Sequence, residues 1–98
     1  MNATPTDATP TDALRLEEGI TQIYIPEYMH EELRGYVLRH RAAGGFLTKL
    51  LENDFLGAVA AADTENALAL QRWGQLLAQY VPSACLGSPA TVRAWLTR

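Results

Sequence analysis

Residues 39–55 have the sequence Arg-His-Arg-Ala-Ala-Gly-Gly-Phe-Leu-Thr-Lys-Leu-Leu-Glu-Asn-Asp-Phe. The double glycine predicts the end of one helix, because glycine adopts the left-handed cap conformation at little cost. The apolar residues after it recur at helical spacing and predict a second helix over residues 46–62. Its predicted buried stripe is Leu47, Leu50, Leu51, Phe55, Ala58 and Ala62. This stretch therefore predicts two helices joined by a tight turn.

Helix signals continue on both sides of this stretch. Pro26 suits a first helical turn, and the residues after it keep helical spacing up to the double glycine. Asp63 and Thr64 are good N-caps for a third helix, which Pro82 ends. Ser88 and Pro89 predict a short fourth helix. The expected fold is all-α: a small bundle of three main helices plus a short C-terminal helix.

The N-terminal part has a different composition. The direct repeat Ala-Thr-Pro-Thr-Asp occupies residues 3–7 and 8–12 and contains no large apolar side chain. Such a segment does not bury enough surface to offset the entropy of ordering, so residues 1–13 are predicted to be a disordered tail. Residues 14–98 are then a single helical domain, which begins with a helical turn over residues 14–19. The β-branched run over residues 20–25 predicts a short extended arm, which packs either on its own chain or across a partner subunit. A homo-oligomer is expected.

Composition narrows the class of protein. The chain has 98 residues, is 48% hydrophobic and carries a net charge of −3, which opposes general nucleic-acid binding. No apolar run is long enough to cross a bilayer, and no signal peptide opens the chain. The expected protein is cytoplasmic, with no membrane contact and with nucleic acid as an unfavoured partner.

The basic residues concentrate around the double glycine, and this cluster is the first candidate site. A helix N-terminus offers free N–H groups to an anion. The residues predicted to hold a phosphate or carboxylate are Arg39, Arg41, Gly44, Gly45, Thr48 and Lys49. Tyr28 or Tyr36 would stack on a bound base. The alternative is an ordinary turn between helices whose basic residues cap the first one.

Asp54 is the second candidate, because the helical wheel places it inside the apolar stripe. A buried carboxylate requires a partner. One interpretation is structural: Asp54 caps a helix or pairs with an arginine. The other is that Asp54, with Asn53 beside it, binds donor groups of a ligand.

Catalytic motifs are missing from the sequence. His30-Glu31-Glu32-Leu33-Arg34 begins like a zinc-protease helix but has Arg34 where the second histidine is required. His30, His40 and Cys85 lack metal-ligand spacing. We therefore expect no enzyme activity, no metal and no cofactor.

Several short motifs resemble a group of small, mostly uncharacterised helical proteins encoded by phages and prophages. They are Ile25-Pro26-Glu27-Tyr28-Met29, Gly45-Phe46-Leu47, Leu50-Leu51-Glu52-Asn53-Asp54-Phe55, Ala61-Ala62-Asp63 and Gly87-Ser88-Pro89. The resemblance implies a phage accessory gene rather than an activity.

Together, these observations predict a non-enzymatic phage or prophage accessory protein that counters host defence by binding. It would either sequester a small anionic signal such as a cyclic nucleotide or dock on a defence protein. One alternative is a DNA-binding regulator whose first two helices form a helix-turn-helix, with Thr48, Lys49, Glu52, Asn53 and Leu56 along one side of the second helix. The other is a structural or assembly oligomer.

Overall fold

The computed structural model describes residues 9–98, whose regular secondary structure is entirely helical. The α-helices are α1 (Pro10–Gln22), α2 (His30–Arg39), α3 (Gly45–Leu51), α4 (Phe55–Ala61), α5 (Thr64–Leu68), α6 (Leu70–Tyr80) and α7 (Pro89–Leu96). Two short 3-10 turns cover Glu27–Met29 and Ser83–Cys85. The described residues contain no strand, so the predicted all-α class of a small bundle is confirmed.

Helix α1 begins earlier than predicted. Thr9 and Asp12 form a capping box in which each side chain accepts the other's backbone N–H at 3.0 Å. With Pro10 in the first turn, this box starts a helix inside the segment that composition assigned to the tail. The predicted boundary after residue 13 therefore falls within α1. The prediction for residues 1–8 lies outside the described part of the chain.

The predicted arm over residues 20–25 is shorter in the structure. Ile20 belongs to α1, where it lies one turn after Leu16 and both side chains enter the core. The backbone is extended at Ile23, and no regular element covers residues 23–26. Burial of Ile20 on a helix face outweighs the β-propensity of the run. Ile25 is itself 1% exposed, so this segment packs on its own chain.

Helix α2 ends at His40 rather than at the double glycine. His40 takes the left-handed conformation at φ 55°, and the N–H of Arg41 donates to the carbonyl of Gly35 at 3.0 Å. Gly44, which was predicted to break α2, instead precedes α3 as its extended N-cap. The connection between the two helices is therefore longer than the tight turn predicted.

The predicted second helix over residues 46–62 is two helices. Asn53 is left-handed at φ 64°, which separates α3 from α4. Asp54 then caps α4 by accepting the N–H of Gly57 at 2.9 Å. Because the break changes the helical phase, Phe55 turns out of the core that its spacing predicted and is exposed. The predicted third helix is likewise divided at Ala69 into α5 and α6.

Two tryptophans organise the core. The indole N–H of Trp73 on α6 donates to the buried side-chain oxygen of Asn66 at 2.9 Å. The indole N–H of Trp95 on α7 donates to the carbonyl of Tyr36 at 2.9 Å. Helix α1 packs against α6 at Gly19, where an added Cβ would lie 2.6 Å from the Leu76 side chain. Among the described helices none has the length and apolar character needed to cross a membrane.

Candidate functional site

Two arginines of α2, Arg34 and Arg39, form ion pairs with glutamates. Arg34 binds both carboxylate oxygens of Glu17, at 2.7 and 2.8 Å, and reaches Glu31 at 2.6 Å. Arg39 contacts the same Glu31 at 3.3 Å. Hydrogen bonds from Arg34 hold the pKa values of Glu17 and Glu31 below their ordinary range. Arg41 is exposed and lies against Gly35. Arg34 therefore ties α2 to α1, the contact of Arg39 stays within α2, and Arg41 has no ion pair among the described residues.

Thr48 and Lys49 also bind within the chain. The hydroxyl of Thr48 donates to the carbonyl of Ala43 at 3.1 Å, which fixes the loop before α3. The ammonium of Lys49 lies 3.8 Å from a carboxylate oxygen of Glu52 and 3.8 Å from one of Asp54. Arg39 and Lys49 thus face carboxylates, and of the three cations predicted to hold an anion only Arg41 has no such contact among the described residues.

The double glycine lies in a cleft of about 240 Å³ that we call the double-glycine cleft, lined in part by Tyr28, Glu32, Gly44, Gly45 and Asp63. The N–H of Gly44 donates to a carboxylate oxygen of Glu32 at 2.7 Å. The chain's own carboxylate thus occupies one N–H group at this helix start, whereas the N–H groups that follow in α3 have no side-chain cap. The cleft carries acids where the sequence predicted a basic cradle.

Tyr28 is held at the mouth of this cleft. Its hydroxyl donates to Asp63 at 2.5 Å, which raises the pKa of Tyr28 to about 12. Asp63 also accepts the N–H of Asn66 at 2.9 Å as the cap of α5. The hydrogen bond from Tyr28 lowers the pKa of Asp63 most, and the hydrogen bond from Asn66 lowers it further. Tyr28 remains exposed, whereas its polar end is already satisfied.

Tyr36 is not available for stacking on a ligand, which corrects its predicted role. The side chain is 1% exposed, and its hydroxyl donates to the carbonyl of Cys85 at 2.6 Å. Burial raises its pKa above the ordinary value for tyrosine. Tyr36 therefore ties α2 to the turn before α7 and is part of the core.

Asp54 makes a structural contact as the cap of α4, and its interpretation as a ligand-binding group stays a prediction. It is half-exposed, because the break at Asn53 moves it out of the predicted apolar stripe. One carboxylate oxygen caps α4, and the other faces Lys49. Asn53 is exposed beside it. These two residues nevertheless border an opening that the sequence did not predict.

Helix α4 presents an apolar ridge to solvent, formed by Phe55, Leu56 and Val59. Their side chains are 62%, 77% and 42% exposed. Phe55 and Val59 lie one turn apart on the same side of α4. The helix contains no charged residue. Exposed apolar groups that are contiguous, rather than scattered singly, are typical of contact surfaces.

Next to the ridge lies the α4–α6 groove, an opening of about 370 Å³. Its lining residues come from α3, the turn before α4, the first residue of α4, α6 and the loop before α7: Leu50, Asn53, Asp54, Phe55, Gly74, Leu77, Ala78, Leu86 and Gly87. Asp54 is the one charged residue among them. The ridge and the groove share Phe55 and together form what we call the uncharged face, because Asp54 at its edge is the one charged residue that they contain.

Most of this face was not predicted from the sequence, although one signal was present. Residues 73–92 form a run of twenty without a charged side chain, in a chain that is 19% charged. This run supplies Gly74, Leu77, Ala78, Leu86 and Gly87 to the groove. Leu56 was placed with polar residues along one side of the second helix, whereas Phe55 was assigned to its buried stripe.

Groups for catalysis do not come together in the described residues. No set of three His, Cys, Asp or Glu side chains there is close enough to hold a metal ion. Cys85 is buried, and burial raises the pKa of its thiol to about 12, which keeps it protonated near neutral pH. His40 uses Nδ1 to contact the carbonyl of Trp95 at 2.8 Å. These groups have structural contacts.

Comparison with known proteins found no family model, no curated protein and no solved structure that matches this chain.

Proposed function

We propose that this chain is a non-enzymatic accessory protein of a phage or prophage that acts by docking on another protein through its uncharged face. The expected partner is a host defence protein in the cytoplasm of the infected cell. The phage setting rests on the resemblance of the short motifs around Gly45-Phe46-Leu47 and Asn53-Asp54-Phe55. The docking mode rests on the exposed ridge of α4 and the groove beside it.

The single observation that carries the docking mode is the exposure of Phe55, Leu56 and Val59 on a helix without charge. At these exposures, the three side chains present on the order of 300 Å² of apolar surface, the low end of the range for the largest apolar patch on a typical monomer. The centre of a protein interface is depleted of charged residues and enriched in aromatic ones. An uncharged ridge with an adjoining groove has this composition.

The sequestering mode has less support from the geometry. An anion at the double glycine would have to displace Glu32 from the N–H of Gly44. It would also compete with Glu31 for Arg39 and with Glu52 and Asp54 for Lys49. Each exchange replaces an existing carboxylate contact, so little free energy is left for binding.

The alternatives make different demands on the same chain. A helix-turn-helix places the start of its second helix in the major groove, whereas the helix after the turn here, α3, has seven residues and ends before Glu52. Arg39 and Lys49, which would contact phosphates, are paired with acids. An assembly oligomer would use the uncharged face to bind a second copy, which the experiment below distinguishes.

The test is affinity capture from infected-cell lysate with three baits: wild type, Leu56→Arg and Leu68→Arg. Leu68 on α5 is the matched control, because it is 78% exposed and lies outside the ridge and the groove. We expect wild type and Leu68→Arg to retain a protein that Leu56→Arg loses, since an arginine in an apolar contact leaves a charge without solvent. Calorimetry with the purified pair should show the same order.

Several results would contradict docking. Equal capture by all three baits, or by none, would remove the uncharged face from function. Heat with a cyclic oligonucleotide that persists in Leu56→Arg and disappears in Lys49→Gln would support sequestration instead. Light scattering that shows a stable oligomer dissociated by Leu56→Arg, with no captured partner, would support the assembly role.

A further inference from the structure

The α4–α6 groove has room for one large side chain. Its α6 wall exposes Gly74 and Ala78, which lie one turn apart. A Cβ built on Gly74 meets no atom within 4 Å, so the wall is open there. A dry protein cavity of about 150 Å³ accommodates a benzene ring. An opening of about 370 Å³ therefore accepts a side chain as large as an indole or a phenol.

The polar groups of the groove come from one place, the turn before α4. Leucines from α3, α6 and the loop before α7 make most of the lining apolar. Asp54 and Asn53 supply the polar side chains. One oxygen of Asp54 accepts from Gly57, whereas the other is 3.8 Å from the Lys49 ammonium, beyond hydrogen-bond distance. This second oxygen keeps the capacity to accept a hydrogen bond.

The charges at that end select what can enter. A lysine or arginine from a partner would have to give up its hydration in a mostly apolar groove, whose one acid, Asp54, already lies beside Lys49. A carboxylate would face Asp54. A neutral N–H or O–H donor meets neither obstacle and pairs with the unused oxygen. An aromatic ring fills the apolar part of the groove better than a short polar side chain does.

We propose that the groove receives one tryptophan or tyrosine side chain of the partner protein, with its N–H or O–H directed at Asp54. This inference rests on the proposed docking function and specifies its anchor. Interfaces concentrate their binding free energy in buried anchors enriched in tryptophan, tyrosine and arginine, and of these only tryptophan and tyrosine are neutral. The ridge of Leu56 and Val59 then covers the rest of the contact.

The test uses the full chain, labelled with ¹⁵N, titrated with four single-residue probes. They are the N-acetyl amides of tryptophan, tyrosine, phenylalanine and arginine. We expect the tryptophan and tyrosine probes to shift the amide signals of Gly74, Ala78 and Gly87. Their affinities should exceed that of the phenylalanine probe by about threefold to tenfold, the contribution of one hydrogen bond. The arginine probe should bind more weakly than all three.

Two variants separate the apolar part of the site from its polar end. Gly74→Leu extends a side chain into the groove from a Cβ position that meets no atom within 4 Å, and it should abolish the shifts while the rest of the spectrum persists. Asp54→Asn preserves the cap of α4, because asparagine is an equally good N-cap. It replaces the free acceptor with an amide donor. The tryptophan probe should then bind no better than the phenylalanine probe.

Results that overturn the inference are distinct from those that overturn docking. Equal affinity for tryptophan and phenylalanine probes in wild type, shifts outside the groove, or no shifts would remove the anchor. If Leu56→Arg still loses a captured partner in that case, docking stands. Probe binding with no captured partner would leave the groove without the proposed function. Shifts at Gly74 and Gly87 that depend on protein concentration alone would assign the groove to a second copy.

Discussion

The double-glycine cleft and the α4–α6 groove are openings of similar size with opposite chemistry. In the cleft, the N–H of Gly44 and the hydroxyl of Tyr28 both donate to carboxylates of the same chain. In the groove, the lining is mostly apolar, and one oxygen of Asp54 has no hydrogen-bond donor within reach among the described residues. Polar groups that are satisfied internally stabilise a fold, whereas exposed apolar groups gain free energy only from a partner.

The same contrast holds for charge. The ion pairs of Arg34, Arg39 and Lys49 belong to α1, α2, α3 and the adjacent turns. The uncharged face belongs to α4, α6 and the loop before α7. A concentration of charged residues along the sequence therefore marked where the chain pairs with itself. The run without charge marked the surface that is left without a partner.

The largest expected difference is between a buried aromatic residue, Trp73, and an exposed one, Phe55. Trp73→Ala should lower the free energy of unfolding by about 3–5 kcal/mol, because Trp73 is fully buried and its removal leaves a cavity. Phe55→Ala should change it by less than about 0.5 kcal/mol, because Phe55 is mostly exposed. Chemical denaturation measures both. A large loss in Phe55→Ala would mean that this ring is covered in solution.

A second comparison uses two glycines. Gly19→Ala should destabilise the protein by about 1–3 kcal/mol, because its Cβ would lie 2.6 Å from atoms of Leu76 and Tyr80. Gly74→Ala should stabilise it by up to about 1 kcal/mol, since α6 gains helix propensity and the added methyl group meets open space. Thermal unfolding of the two variants checks the signs. A destabilised Gly74→Ala would indicate that the groove is narrower than described.

Lowering the pH should destabilise the protein through the carboxylates that are paired or hydrogen-bonded within the chain. The folded-state pKa values of Glu17, Glu31 and Asp63 are lowered, by Arg34 in the first two and by Tyr28 first in the third. Their contribution to stability is present above the ordinary carboxyl pKa and is lost as pH falls through the folded-state values. The thermal midpoint should therefore fall as pH drops below about 4.5, the ordinary glutamate value.

Arg34→Met provides the control for this dependence. It removes the partner of Glu17 and Glu31 while preserving most of the aliphatic stem. At neutral pH its midpoint should be a few degrees lower than that of wild type, and the acid-induced fall should be smaller. A wild-type midpoint that does not change between pH 6 and pH 3 would contradict the role of these pairs.

The smallest expected effect is that of Arg39→Gln combined with Arg41→Gln. Both residues are exposed, and the contact between Arg39 and Glu31 is surface-exposed at 3.3 Å, so the thermal midpoint should not change measurably. Partner capture should also remain at the wild-type level. Loss of capture in this variant would return the binding site to the basic cluster and reverse the comparison between the two openings.

How well the sequence predicts a structural feature depends on how far apart in the chain the residues that cause it lie. Caps and spacing predicted α7 from Ser88 and Pro89, and the start of α5 from Asp63, because these signals act within one helical turn. The end of α2 at His40 and the break at Asn53 were missed, since both residues adopt a left-handed conformation that asparagine and histidine signal only weakly. The capping box of Thr9 and Asp12 was hidden in a repeat without large apolar residues.

The candidate site shows the same limit more strongly. The sequence correctly placed basic residues near the double glycine, yet pairing depends on which acids the fold brings next to them. Glu17 reaches Arg34 across seventeen residues, and Tyr28 reaches Asp63 across thirty-five. Contacts at such separations are set by the packing of helices, which hydrophobic spacing within one helix does not specify.

By itself, therefore, the sequence determined an all-helical chain, its caps near the C-terminus and the stretch without charge, because propensity and composition are local properties. Tertiary structure alone decided that Phe55 faces solvent, that Glu32 occupies the N–H of Gly44, and that Gly74 and Leu86 meet in one groove. The left-handed residue Asn53 changes the helical phase of α4, and charged side chains form ion pairs between helices only after the helices have packed.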